Sequence, residues 1–214
     1  AYRQKKYGTN EVQKYSRQDL IDSLAGSLVR YSLRTTIERA AAETNVAPSL
    51  SQIEAGNYRK GRFRLWGKEI VIETPRGSTR SGTSRDGKTW SNELPHHYGY
   101  IRRHEGADGD ELDCYVGRHP ESEVVFVVDQ HDPTSGHFDE HKCFIGFGSA
   151  KEAKQCYLDG FARGGRAAER FGHIVTMTKS QFLEWLDGDD ATKYPVFGAR
   201  QVVKYAKPSK PSAG

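Results

Sequence analysis

From Ser16 onward, Leu20, Ile21, Leu24, Leu28 and Tyr31 recur at the three- and four-residue intervals of a helix, and Leu33, Ile37, Ala40 and Ala41 continue the pattern. This spacing predicts a helical segment over 17–44, as one bent helix or a helical pair, with Ser16 as N-cap and Pro48 as its stop. Residues 1–16 are polar, basic and without a period, which predicts loose order. Residues 52–64, QIEAGNYRKGRFR, read as a Gly-punctuated connector. From residue 65 the texture changes. Leu65-Trp66 with Ile70-Val71-Ile72, Tyr115-Val116, Val124–Val128 and Cys143–Phe147 read as short strands separated by Gly and Pro turns. They predict a small β-barrel or mixed sheet. A helix over 150–163 follows, with Ser149 as cap, and another over 178–187, with Thr178 as cap and Phe182, Trp185 and Leu186 on its apolar side. The tail KYAKPSKPSAG is rich in Pro, Ser and Lys and predicts disorder.

Composition narrows this picture. A chain of 214 residues suits one domain with appendages. No apolar run approaches the roughly 18 residues of a membrane helix, and the polar, basic start is not a signal peptide. The chain begins Ala1-Tyr2, which reads as a trimmed or processed piece of a longer chain. Cys114, Cys143 and Cys156 form no CxxC pair, so reduced, buried thiols are expected rather than a zinc ribbon. The net charge of +4 is unevenly spread: residues 1–66 hold 12 Lys and Arg against 6 Asp and Glu, residues 67–203 hold 17 against 22, and the last eleven add three lysines. Basic arms flank an acidic middle. They are solvated surface, or they touch nucleic acid or another phosphate-rich partner.

The acidic middle peaks at Asp108-Gly109-Asp110-Glu111-Leu112-Asp113. Four carboxylates within six residues repel one another unless solvent or a cation intervenes. Oxygen-only donors suit Mg²⁺, Mn²⁺ or Ca²⁺ rather than zinc, and Gly109 permits a tight turn. An EF-hand loop is excluded, because its fifth, sixth and twelfth positions would be Leu112, Asp113 and His119. A solvated acidic turn and a cation site both remain. The neighbourhood supplies Tyr98, Arg80, Asp139, Glu140 and Lys142, the inventory for holding a polyphosphate: cations bridge its oxygens, and Arg and Lys neutralise the rest.

These residues resemble the soluble, Mg²⁺-dependent inorganic pyrophosphatases. DGDELDC at 108–114 satisfies every position of the family's Asp signature, and Tyr98 of YGYI lies ten residues before Asp108, as in the family. The resemblance implies that Asp108, Asp110 and Asp113 bind Mg²⁺ (or Mn²⁺), with Asp139, Glu140 and the early Glu73 adding to the metal sites. It implies Asp110 as general base, and Tyr98, Lys142 and Arg80 as groups on the phosphates, with Lys88 and Tyr157 as further substrate contacts. The expected architecture is α+β: a partly closed, five-stranded OB-like barrel with packed helices over 52–203, an N-terminal helical appendage over 1–51 and a tail over 204–214. A closer similarity, carried by QIEAGNYRKG, GSTRSG, GADGDELD and FDEHKCFIGF, is to the pyrophosphatase-like domains of multi-domain phage and mobile-element (polyvalent) proteins, which implies the bacterial host cytoplasm or the virion as location.

There are departures. Between Glu73 and Tyr98 the chain is about ten residues shorter than the family. Its Lys-x-Glu appears as Arg80-Ser81-Gly82, a second Tyr is Leu94, and the late Tyr-Lys pair has only Tyr157-Leu158 as a match. Three functions therefore stand: hydrolysis of pyrophosphate, hydrolysis of a nucleotide or other phosphoanhydride, or a weakly catalytic metal- and phosphate-binding module of a phage-injected protein. His96, His97 and His104 lack ligand spacing and read as structural, and Arg102-Arg103 either balance the acidic turn or bind phosphate.

Overall fold

The computed structural model describes residues 16–83, 87, 89–161, 166–188 and 190–197. Helix α1 (Arg17–Glu43) starts at Ser16, whose hydroxyl accepts from the Asp19 amide while the Asp19 carboxylate accepts from the Ser16 amide. This reciprocal cap is the start the sequence foretold. The helix stays single and ends at Thr44, before Pro48. Its second half buries Ile37, Ala40 and Ala41 against the sheet, while Leu24 and Leu28 on its first half are 66% and 69% exposed. A five-residue helix α2 (Leu50–Glu54), capped by Ser49, leads to β1 (Gly61–Leu65) and β2 (Lys68–Thr74). There follow β3 (Thr79–Thr83), β4 (Thr89–Glu93), β5 (His97–Glu105), β6 (Glu111–Val116), β7 (Val124–His131) and β8 (Phe138–Ile145). Helices α3 (Ala150–Asp159) and α4 (Ala167–Arg170), strand β9 (Phe171–Thr178) and helix α5 (Lys179–Leu186) complete the elements that position the site. Ser149 and Thr178 cap α3 and α5 as expected.

Seven strands form one mixed sheet in the order β1-β2-β5-β6-β8-β7-β9, parallel only between β6 and β8; β3 and β4 make a separate hairpin. The α+β class holds, but the five-stranded barrel does not. The sheet is open, with β1 and β9 at its edges and no pairing between them among the described residues. Closure needs pairing edges and a matching stagger. Here β1 lies under α1 instead. A Cβ at Gly61 would come within 1.7 Å of the Ala40 carbonyl oxygen, and the Gly61 amide donates to Thr44 Oγ1 at 2.9 Å. Strand β1 itself falls in the expected connector, because Arg62 and Arg64 alternate with the buried Phe63 and Leu65.

Period-2 alternation gives the sheet two apolar faces. Val125 and Val127 of β7, with Cys114 and Val116 of β6, face α1 and α5; Phe126, Val128 and Tyr115 face α3. Cys114, Cys143 and Cys156 are free and buried, as expected. No helix among the described residues is long and apolar enough to cross a membrane.

Candidate active site

The acidic turn joins β5 to β6. Gly106 donates to the Asp110 carbonyl at 2.7 Å, Asp110 donates to Asp108 Oδ1 at 3.2 Å, and Gly109 takes φ +88°, where a side chain is disfavoured. Asp108 and Asp110 are exposed at its tip. Asp113 lies three residues further on, inside β6, opposite Tyr100 on β5. Tyr98 shares the Tyr100 face and pairs across to Tyr115. On β2, the register jumps between Ile72, opposite Gly99, and Thr74, opposite Tyr98; Glu73 is the extra residue of this bulge. Lys60 meets it from just before β1, with Nζ 2.5 Å from Glu73 Oε1.

Strand β8 closes the other side. Lys142 Nζ donates to Asp113 Oδ2 and, at 2.6 Å, to Glu140 Oε2. Gln130 of β7 donates to Glu140 Oε1 at 2.6 Å and to Asp139 Oδ2 at 3.2 Å, and its own oxygen accepts from the Tyr157 hydroxyl at 2.8 Å. Burial opposes the Lys142 charge, but Asp113, Tyr98 and Glu140 overrule it and hold the ammonium well above its ordinary range. Burial likewise disfavours the Asp113 carboxylate, yet the Lys142 ammonium keeps it ionised below its usual range. For Glu140, burial prevails over Lys142, Asp113 adds repulsion, and the carboxyl is pushed up. Lys142 thus pairs chiefly with Asp113, and Glu140 is the carboxyl that takes a proton more readily. The Tyr98 hydroxyl is buried beside them without a hydrogen-bond partner among the described residues.

The hairpin β3–β4 brings Arg80 in from outside the sheet, with its guanidinium carbon 4.5 Å from the Tyr98 ring centre and 5.5 Å from that of Trp90. Gly82, where the resemblance has Glu, lies so close that a Cβ would sit 2.7 Å from the Trp90 ring. Glu73, Arg80, Asp108, Asp110 and Asp113 line one cavity of about 860 Å³. Asp139 turns away to Gln130 and stands 3.9 Å from Arg170. Tyr157 is wholly buried, its hydroxyl engaged by Gln130. Lys88 lies outside the described residues, as do the basic segments 1–15 and 198–214.

The three histidines have structural partners. His97 Nδ1 accepts from the Arg76 amide at 3.0 Å, His104 lies 3.2 Å from the Leu186 carbonyl, and His96 packs on Phe147. Arg102 bonds Glu69 at 3.0 Å. Sequence reasoning missed Lys60, Gln130, Tyr58 and the cavity wall over 45–56. Lys60 sat inside the expected connector, and Gln130 carries no motif.

All the acidic donors here are oxygens, the chemistry of a hard divalent cation. Among the described residues no three of them converge as a ready-made cage. A site of this kind fits Mg²⁺, which is usually held by one or two carboxylates, with water and substrate phosphate filling its other positions.

No curated protein and no solved structure matches the chain. The family model for Inorganic Pyrophosphatase matches residues 50–187, from α2 to the end of α5, and takes in the turn, the bulge, the hairpin and both Lys142 partners. That is more than half of the sequence, and the chain belongs to the inorganic pyrophosphatase family, an enzyme of the diphosphatase class.

Proposed function

We propose that this chain hydrolyses inorganic pyrophosphate to two phosphates with Mg²⁺, Mn²⁺ being a substitute. The observation that carries the proposal is the cavity that Asp108, Asp110 and Asp113 line together with Arg80 and Lys60. Asp108, Asp110 and Asp113, with Glu73, would hold the cation, and Glu140 and Asp139, both bonded by Gln130, would add donors for a further one. Mg²⁺ bound there supplies charge neutralisation and lowers the pKa of water.

The chain's own groups do the remaining work. Arg80, on its exposed hairpin, and Lys142, held protonated by Asp113, neutralise phosphate oxygens as charge shifts to the leaving phosphate. The buried Tyr98 hydroxyl, beside Asp113, would donate to one of them. Asp110, at the exposed tip, receives the proton of the attacking water. The N-terminal segment 1–51, the domain limits 52–203 and a setting in a multi-domain phage protein belong to the same proposal; helical spacing supports the first, and the sequence resemblance the others.

The test is phosphate release from pyrophosphate with Mg²⁺, Mn²⁺ or Ca²⁺. Asp110→Asn is expected to lower kcat by at least about 100-fold, the lower bound usual for a positioned general base. An unchanged rate in that variant removes Asp110 from its role. Mg²⁺ binding with no phosphate released by the parent chain removes the activity itself.

A further inference from the structure

A bare diphosphate is far smaller than this cavity. At about 860 Å³ the cavity lies in the range of pockets that enclose drug-sized organic ligands, roughly 300–1,000 Å³. Its walls are also unlike one another. Most of the charged groups come from the sheet, its acidic turn and the hairpin. The stretch between α1 and β1 contributes Val46, Ala47, Pro48 and Ile53, with Asn45 and Glu54 as its polar members. Val46 and Ile53 are 58% and 40% exposed, large apolar side chains lining the same cavity as the acidic turn. Nothing in diphosphate chemistry uses such a surface.

The wall is built rather than draped. The Asn45 amide donates to the Arg59 carbonyl at 2.8 Å, and Asn45 Oδ1 accepts from the Ala47 amide at 3.1 Å. Ser49 and Gln52 then cap each other's amides at 3.3 and 2.9 Å. The Tyr58 and Tyr100 rings also line the cavity, with centres 4.9 and 5.3 Å from the Lys60 ammonium. A phosphate held at Lys60 therefore has two aromatic rings beside it, in a cavity that Val46 and Ile53 also line.

We infer that the site takes, besides pyrophosphate, a phosphoanhydride bearing a flat organic group, of the class of nucleoside 5′-diphosphates and triphosphates, with the phosphates at Lys60 and Arg80 and the base against Tyr58, Tyr100, Val46 and Ile53. The inference rests on the hydrolytic reading above and adds a second substrate class to it. In the reaction, the water oxygen bonds to the terminal phosphorus. The bridging P–O bond breaks, and its electron pair stays on the phosphate that carries the nucleoside. The water proton passes to Asp110 and then to a product phosphate. A nucleoside diphosphate yields the monophosphate and phosphate.

The test is calorimetric titration of the full chain, with Mg²⁺ present, by α,β-methylene analogues of adenosine and uridine diphosphate and by methylenediphosphonate, which has the same anion without a nucleoside. At least one nucleotide analogue is expected to bind about tenfold or more tightly than methylenediphosphonate, within what base stacking on an aromatic side chain contributes. Val46→Ser with Ile53→Ser, both at exposed positions, is expected to reduce that ratio at least threefold with an unaltered melting curve. Nucleotide analogues that bind no better than methylenediphosphonate overturn the inference, and so does a ratio unchanged in the double variant. Turnover is read separately. Phosphate release from neither pyrophosphate nor a nucleoside diphosphate overturns the hydrolytic reading, while the binding ratio still decides the substrate class.

Discussion

Lys142→Met removes one ammonium and keeps the length of its stem. The side chain is only 10% exposed, and its two partners, Asp113 and Glu140, are 20% and 18% exposed. The variant therefore leaves two largely desolvated carboxyls with no cation between them. Removing one partner of a fully buried pair costs about 3–5 kcal/mol, and the partial exposure here places the expected loss near about 3 kcal/mol. For a chain of this size, that corresponds to a drop of roughly 6–12 °C in melting temperature. Urea denaturation gives the free energy and circular dichroism the melting point. Glu140→Gln in the same background removes one of the two stranded charges. It is expected to restore about 1 kcal/mol, because Gln130 loses only one charge-assisted acceptor. A Lys142→Met chain within about 1 kcal/mol of the parent would refute the reasoning, since it would mean that water solvates both carboxyls as well as the ammonium does.

Gly99→Ala sets a Cβ 1.9 Å from the Val71 carbonyl oxygen, forcing β2 and β5 apart beside the Glu73 bulge; a loss of about 3 kcal/mol is expected by urea denaturation, against about 1 kcal/mol for Gly67→Ala, where φ is +81° but the space is open. Asp129 titrates on different terms: burial opposes its charge, but the His141 ring 3.0 Å away and the hydrogen bonds from the Phe197 and Val196 amides outweigh it, so its pKa is lowered in the fold. Its contribution is complete above the ordinary Asp value of about 4 and is lost as pH falls through the depressed one, so stability measured from pH 5 downward should decline less steeply in Asp129→Asn than in the parent. An equally steep decline in the two chains would count against this assignment.

What the sequence makes visible is local. Ser16, Ser149 and Thr178 cap helices through amides three residues away, so composition and spacing suffice to find them. The acidic turn is legible for the same reason, being contiguous and carrying its own Gly109. The partners of Lys142 are not contiguous. Gln130 reaches Glu140 only because β7 and β8 pair with those residues directly opposite. Lys60 reaches Glu73 only because β1 lies against β2. The hairpin β3–β4 buries no residue fully, so no hydrophobic period betrays it. The choice between an open sheet and a barrel depends on whether two edges separated by about half of the chain pair, and no local pattern encodes that.

The departures from the family pattern also gain physical content. A Glu at Gly82 would have to displace the Trp90 ring, which a Cβ there would approach to 2.7 Å, and Leu94, in place of a Tyr, is buried in the aromatic core with Tyr98 and Phe144. Both changes put apolar packing where the family pattern has a polar group. The same alternation that builds that core supplies the charges. On one face of β6 and β8, Tyr115 and Phe144 are followed toward the turn by Asp113, Lys142 and Glu140. A slip of one residue in register would send all of them to the opposite face, among Ile72, Ile101 and Val127. The aromatic floor keeps water from beneath the charges, so each acts in a medium less polarisable than bulk solvent, where a fixed ammonium or guanidinium exerts more force on a phosphate. Fold and chemistry are therefore one constraint here: the residues that fix the register of the central strands also fix the distances between the site's charges.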